Sequence, residues 1–175
     1  MRFVFTTNDK FWSRVARFLS AEKTTHIAII FENYGFNIVF DCSTSGFKKQ
    51  SQARFFEYNR LVSQITINAS ENDEAMMLSE ILENAVGAEY DFSAYKWMLY
   101  RGILRKFFGV DKPDFNPWQD EEKYLCTEVV EPITQHLLRY GINLINRDLA
   151  SMTPQEIFFD MALQYENRPI TRIVV

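Results

Sequence analysis

Thr25-His26-Ile27-Ala28-Ile29-Ile30-Phe31 is a run of strand-forming residues that is apolar on both of its alternating faces. Such a run belongs in the middle of a sheet, covered on both sides. Glu32-Asn33-Tyr34-Gly35 supplies turn chemistry, and Phe36-Asn37-Ile38-Val39-Phe40-Asp41-Cys42 returns as a second strand. The pair is therefore predicted to be an antiparallel hairpin. Two polar residues break its apolar pattern, His26 on the outgoing strand and Asp41 on the returning one. A turn centred between Asn33 and Tyr34 sets them directly opposite, where paired Cβ atoms lie roughly 4.5–5.5 Å apart. A one-residue shift of that turn would bring Cys42 opposite His26 and send Asp41 to the other face.

On the N-terminal side, residues 1–6 read as a strand with Phe3 and Phe5 on one face. Thr7 or Asn8 can cap a helix running to about Leu19, whose stripe Phe11, Val15, Phe18 and Leu19 is predicted to be its buried side. On the C-terminal side, residues 47–60 read as irregular with a short helix near residues 53–58. Residues 61–67 form a third strand with Leu61, Ser63, Ile65 and Ile67 on one side. Ser70 opens a helix with acidic residues in its first turn and a stripe of Leu78, Ile81, Leu82 and Ala85, stopped by Gly87. Residues 90–108 read as a long helix interrupted by Gly102 and closed by Gly109. Residues 110–121, with Pro113, Asn116 and Pro117, read as a surface loop. A helix from Cys126 runs to Tyr140, kinked at Pro132 and stopped by Gly141. Thr153-Pro154-Gln155-Glu156 combines an N-cap threonine, proline at the first helical position and glutamate three after the cap. Residues 170–175 read as a last strand. The expected fold is α+β, a small antiparallel sheet packed against helices, in a single domain spanning residues 1–175.

Composition bounds the chemistry. The 175 residues are 47% hydrophobic and 24% charged, with net charge −4, as in an ordinary globular chain. Acidic and basic residues are interspersed, with no basic block to favour nucleic acid. No apolar run approaches the roughly 20 residues of a membrane span, and residues 1–6 lack the pattern of a secretory signal. A cytoplasmic location follows as an expectation, with Cys42 and Cys126 as free thiols. The 16 phenylalanines fit either an aromatic core or an apolar substrate groove. Two histidines and two cysteines, with no CxxC or HxxxH, make a metal site improbable. Glycines never fall in GxGxxG or GxxxxGK order, and no GxSxG occurs. No cofactor is expected.

What remains is a thiol chemistry. A cysteine on the first turn of a helix meets unpaired N–H groups and the positive end of the helix dipole, which favour the thiolate. Cys126 has that position in Glu122-Lys123-Tyr124-Leu125-Cys126-Thr127-Glu128-Val129-Val130. A thiolate becomes a nucleophile when a base stands beside it and a third group orients the base. His26 is the candidate base and Asp41 the candidate orienting carboxylate. The alternative for His26 and for Cys126 alike is a packed core residue. Cys42, continuing the Ile38 and Phe40 face, takes that reading, and His136 is a structural or surface residue too far along its helix to serve Cys126.

The order of these segments resembles the circularly permuted papain-like amidases, the permuted branch of the NlpC-type cysteine peptidases related to the lecithin:retinol acyltransferases. Thr25-His26-Ile27-Ala28-Ile29 is similar to that family's histidine strand, and Cys126-Thr127-Glu128-Val129 to its cysteine helix. Gly87-Ala88-Glu89-Tyr90-Asp91 and the late Thr-Pro helix are similar to structural features of its bacterial members. The resemblance implies Cys126 as nucleophile, His26 as base and Asp41 as the orienting residue, where Glu is common in the family. It adds Tyr124 as a group supporting the oxyanion or substrate. The activity it implies is a thiol hydrolase acting on an amide, peptide or isopeptide bond. Acyl transfer or lipid-ester hydrolysis, and an inactive binding module on the same fold, stay open. The partner is then a peptide, amide or acyl substrate, and the oligomeric state is undetermined.

Overall fold

In the computed structural model, which describes residues 1–32, 37–110, 115–120, 122–139, 143–145, 147–165 and 171–174, six strands join one antiparallel sheet. They are β1 (Arg2–Thr7), β2 (His26–Phe31), β3 (Ile38–Ser43), β4 (Gly46–Ser51), β5 (Arg60–Ile67) and β6 (Thr171–Val174), in the order β4-β3-β2-β1-β5-β6. β2 lies inside the sheet, as its unbroken apolar run requires. The described helices are α1 (Phe11–Ser20), α2 (Gln52–Tyr58), α3 (Glu71–Asn84), α4 (Phe92–Phe108), α5 (Glu131–Arg139) and α6 (Pro154–Tyr165). Short 3-10 helices occupy Glu128–Val130 and Leu149–Ser151. The α+β expectation holds. The turn residues 33–36, Pro113, Gly141, Ile170 and Val175 lie outside the described residues.

Strand alternation divides the core. Phe3, Phe5, Ile27, Ile29, Phe40 and Cys42 face a large cluster completed by Met77 and Ile81 of α3, Ile133 of α5 and Ile157 of α6. Val4, Ala28, Ile30 and Val39 face the other way, onto Phe55 of α2. Each fully buried Phe or Ile contributes roughly 1.5–3 kcal/mol of hydrophobic stabilisation. His26 and Asp41 alternate with the second set, so they belong to the α2 face.

Several local expectations are corrected. Residues 46–51 are a strand, not irregular: Lys48 and Lys49 hid it, because charged side chains are what an edge strand carries. Leu61 is exposed, because the β1–β5 register slips between Phe5 and Thr6, leaving Val62 as the extra residue of a bulge. In α3, Met77 is buried and Leu82 exposed, so the true stripe is turned from the expected one. Asn116 is buried and its side chain bonds Ala94 O and Ala150 O at 3.2 and 2.9 Å, so it anchors its loop. α1 buries none of its residues, and Lys10 at its N-cap makes no side-chain cap bond. α4 runs unbroken through Gly102, which lies against Leu19 of α1: a Cβ at 102 would sit 3.1 Å from the Leu19 Cβ. The Thr153 capping box is present as read, with Thr153 N donating to Glu156 Oε2 at 2.8 Å and Glu156 N to Thr153 Oγ1 at 3.2 Å.

Candidate active site

His26 is the first residue of β2, so its ring stands at the end of the sheet. The hairpin pairs Ala28 with Asp41, Ile29 with Phe40 and Ile30 with Val39. That register differs by two residues from the expected one. A shift of two preserves the face where a shift of one would reverse it. His26 and Asp41 are therefore diagonal neighbours on one face rather than directly opposed, and His26 Nε2 meets Asp41 Oδ2 at 3.3 Å. Gln50 on β4 donates to the other carboxylate oxygen, Oδ1, at 2.6 Å. The imidazole stacks on Phe55, centroids 6.1 Å apart and planes at 29°. With Asp41 on Nε2, Nδ1 is the ring nitrogen left for another partner.

The second side chain acting on the imidazole is Cys126, which with Asp41 favours its protonated form. The regular helix begins later than expected: Cys126 lies in a turn, the 3-10 helix starts at Glu128, and α5 starts at Glu131. Pro132 is consequently the second residue of α5, where its missing N–H costs nothing, and it ends up at a helix start rather than at a kink. The turn is closed at both ends. Glu128 N donates to Leu125 O at 3.1 Å, and Glu128 Oε2 accepts from Leu125 N at 2.6 Å, as the glutamate of a capping box does. Gln119 Nε2 holds Glu128 Oε1 at 2.7 Å. Cys126 N–H precedes the helical ladder.

The electrostatics follow from this packing. Burial works against protonation of His26, but the hydrogen bonds to Asp41 and Cys126, and the negative charge both can carry, outweigh it and push the imidazole up to about 9. Burial would raise Asp41, yet the bond and charge of His26, then Gln50 and Lys48, hold its carboxyl below the ordinary value. Glu128 is pushed up to about 7 by burial, against the Leu125 N–H and with the help of Glu131, Asp91 and Asp148. Cys42 has the opposite surroundings to Cys126. It is buried, its thiol donates to Tyr124 O at 3.1 Å, and burial raises it far above an ordinary thiol.

No protein-family model matches the chain, and no curated protein matches it. The fold has a solved counterpart. The metalloprotein yiiX from Escherichia coli O157:H7 superposes with a TM-score of 0.53, covering 99% of this chain and 94% of its own, at 12% sequence identity. At that identity the likeness is one of fold alone. In this chain, among the described residues, no group of three or more His, Cys, Asp or Glu is placed to hold a metal ion.

Tyr124 is held by its backbone and by its ring. Its N–H and C=O bind Glu89 O and Asp91 N at 2.9 and 3.0 Å, and its ring packs edge-on against Phe47 at 5.6 Å. The phenols that feel charge on Cys126 are Tyr90 and Tyr95. Burial raises both, charge on Cys126 raises them further, and Tyr95 reaches about 12. Sequence reasoning had Tyr90 within Gly87-Ala88-Glu89-Tyr90-Asp91 but assigned it no role. That segment is fastened to β4: Phe47 N donates to Ala88 O at 2.8 Å and Gly87 N to Phe47 O at 2.9 Å. Gly46, at φ +87, permits the approach, since a Cβ there would lie 2.6 Å from Ala88 O. Asp91 then caps α4 through Ala94 N at 2.8 Å and takes Asp120 N at 2.7 Å. A cleft of about 380 Å³ opens along this segment, walled in part by Thr44, Ser45, Ala88, Tyr90 and Lys123. Cys126 is not in its wall. His136 is buried on α5, 3.8 Å from Asp73 and 4.0 Å from Glu80 of α3, away from this site.

Proposed function

We propose that the chain is a thiol hydrolase in which Cys126 attacks the carbonyl of an amide, peptide or isopeptide bond. The observation that carries this reading is the His26–Asp41 bond, Nε2 to Oδ2 at 3.3 Å, on an imidazole whose protonation Cys126 also favours. Asp41 takes Nε2–H and fixes the tautomer. Nδ1 removes the thiol proton as sulfur bonds the carbonyl carbon. The negative oxygen is met by the Cys126 N–H and by a hydroxyl from Tyr90 or Tyr95, which stay protonated and able to donate. The imidazolium returns its proton to the leaving amine, the C–N bond breaks, and an acyl-thioester remains. Nδ1 then deprotonates water, which attacks the thioester and releases the carboxylic acid and the free thiol.

Acyl transfer is the second reading, favoured by the aromatic cluster around Tyr90, whose ring lies 5.0 Å from Phe92 and 6.1 Å from Tyr95. It differs only in the acceptor of the acyl group. Intact-protein mass spectrometry after brief exposure to an activated p-nitrophenyl ester tests both. The expected result is one acyl adduct on Cys126, absent from Cys126→Ala, decaying to carboxylic acid in water. Faster decay on adding an amine or alcohol marks transfer. No adduct on Cys126 contradicts the proposal.

A further inference from the structure

Half of the stripe that α1 was expected to bury, Phe11 and Phe18, faces outward, while Val15 and Leu19 are partly covered. Phe11, Trp12, Phe18, Phe92, Phe107 and Phe108 of α1 and α4 are each half or more exposed. The two helices pack side by side and run parallel. Tyr95 Oη bonds Trp12 O near their starts at 3.3 Å, while Leu19 meets Gly102 and Lys106 meets Phe18 near their ends. The exposed residues Phe11 and Phe18 stand one position before the seam residues Trp12 and Leu19. On α4, Lys96, Ile103 and Phe107 stand one position after the seam residues Tyr95, Gly102 and Lys106. On parallel helices, opposite offsets from a shared seam fall on the same side. The two apolar stripes therefore make one continuous face.

Charge is segregated onto the same pair. α1 and α4 carry Arg14, Arg17, Lys96, Arg101, Arg105 and Lys106 and not one Asp or Glu, in a chain whose net charge is −4. Arg17 turns inward to Thr7 and Asn8 O and pairs with Asp9, and Arg101 bonds Ser151 O. Arg14, Lys96, Arg105 and Lys106 are exposed, Arg105 lying within the electrostatic reach of Glu22 and Lys106 lying 3.5 Å over the Phe18 ring. Bulky aromatics with interleaved basic side chains on amphipathic helices are the chemistry of a helix that lies in the interface of an anionic bilayer. A second copy of this face would set like charges against each other; the exposed rings and basic side chains would also suit single-stranded nucleic acid, but the aliphatic Ile103, also exposed, shares the face, which a lipid surface favours.

We infer that the α1–α4 face docks the protein on the surface of an anionic lipid bilayer. Among the described residues no helix is long and apolar enough to cross a membrane, so this contact is peripheral. Tyr95 joins the face to the candidate active site, through Trp12 O on one side and the neighbourhood of Cys126 on the other. Docking would bring the cysteine near the lipid headgroups, but the inference itself requires no thiol chemistry.

The test is co-sedimentation of the full chain, as Cys126→Ser, with phosphatidylcholine vesicles containing or lacking 30% phosphatidylglycerol. Binding is expected to the anionic vesicles only and to weaken as salt is raised. Arg14→Gln with Lys96→Gln should weaken it about 25-fold, five-fold for each charge removed, and Phe11→Ser with Phe18→Ser should abolish it while circular dichroism stays unchanged. Absence of binding to anionic vesicles overturns the inference, as does binding that both variant pairs leave intact. So does a dimer that Phe11→Ser dissociates, or tighter binding to a single-stranded oligonucleotide than to vesicles.

Discussion

The two cysteines of this molecule differ in what reaches their sulfur. Cys42 lies within the main core, with its thiol spent on a backbone carbonyl and its ionisation opposed first by burial and then by the negative charges of Cys126, Asp41 and Glu128. Cys126 is half-buried at the rim of the same core, in a turn ahead of a helix, and acts with Asp41 on the His26 imidazole. They are brought close by the fold, since Cys42 bonds the carbonyl two residues before Cys126. The contrast teaches that one fold can seal one thiol in its core and leave another beside an imidazole with its own carboxylate, the surroundings a reactive thiol needs.

The widest separation between the two should come from the relay's far end. Asp41→Asn leaves the imidazole without its anion and offers the wrong tautomer a partner, and should slow acylation of Cys126 by about 10²- to 10⁴-fold. Stopped-flow acylation with a p-nitrophenyl ester measures it, and an unchanged rate would detach Asp41 from the site. Cys42→Ala should do the reverse. It removes a buried sulfur and costs about 1–2 kcal/mol of stability, read by urea unfolding, while acylation of Cys126 keeps its rate. The smallest effect is on the pH dependence of stability. His26 is raised from 6.5 to about 9 in the fold, so its stabilising contribution is complete below pH 6.5 and is lost as pH rises through about 9. Asp41 is lowered from 3.8, so its contribution is complete above that value and is lost as pH falls through the depressed one. The melting temperature should therefore decline between pH 6.5 and 9, and the decline should shrink in His26→Ala. Equal slopes in the two proteins would mean that the imidazole gains nothing on folding.

Much of the site could be read before the structure, because its parts carry local signals. An apolar strand interrupted by one histidine, a carboxylate on the returning strand and a cysteine ahead of a helix are patterns of a few residues each. The register was missed by two, since the turn residues alone do not set hairpin length, yet the error left the face unchanged because side chains alternate with period two. What sequence reasoning lost was decided by tertiary context. β4 looked irregular because an edge strand is polar on the side facing solvent. The stripe of α1 was real, but nothing in its spacing says whether protein or something else covers it. Tyr90 and Tyr95, whose phenols are raised further by charge on Cys126, went unread because the clamp of 87–91 on Phe47 across Gly46 is tertiary, and no spacing in the sequence reports it.

The central claim is that His26 activates Cys126 and leaves Cys42 untouched. An ordinary thiol, with a pKa near 8.5, is only about 3% thiolate at pH 7. Site-resolved alkylation of the folded protein by iodoacetamide at pH 7 is therefore the most direct measurement. The account predicts rapid modification of Cys126, none of Cys42, and a clear fall at Cys126 in His26→Ala. Modification of Cys126 at the rate of a free thiol, equal in the wild type and in His26→Ala, would contradict it.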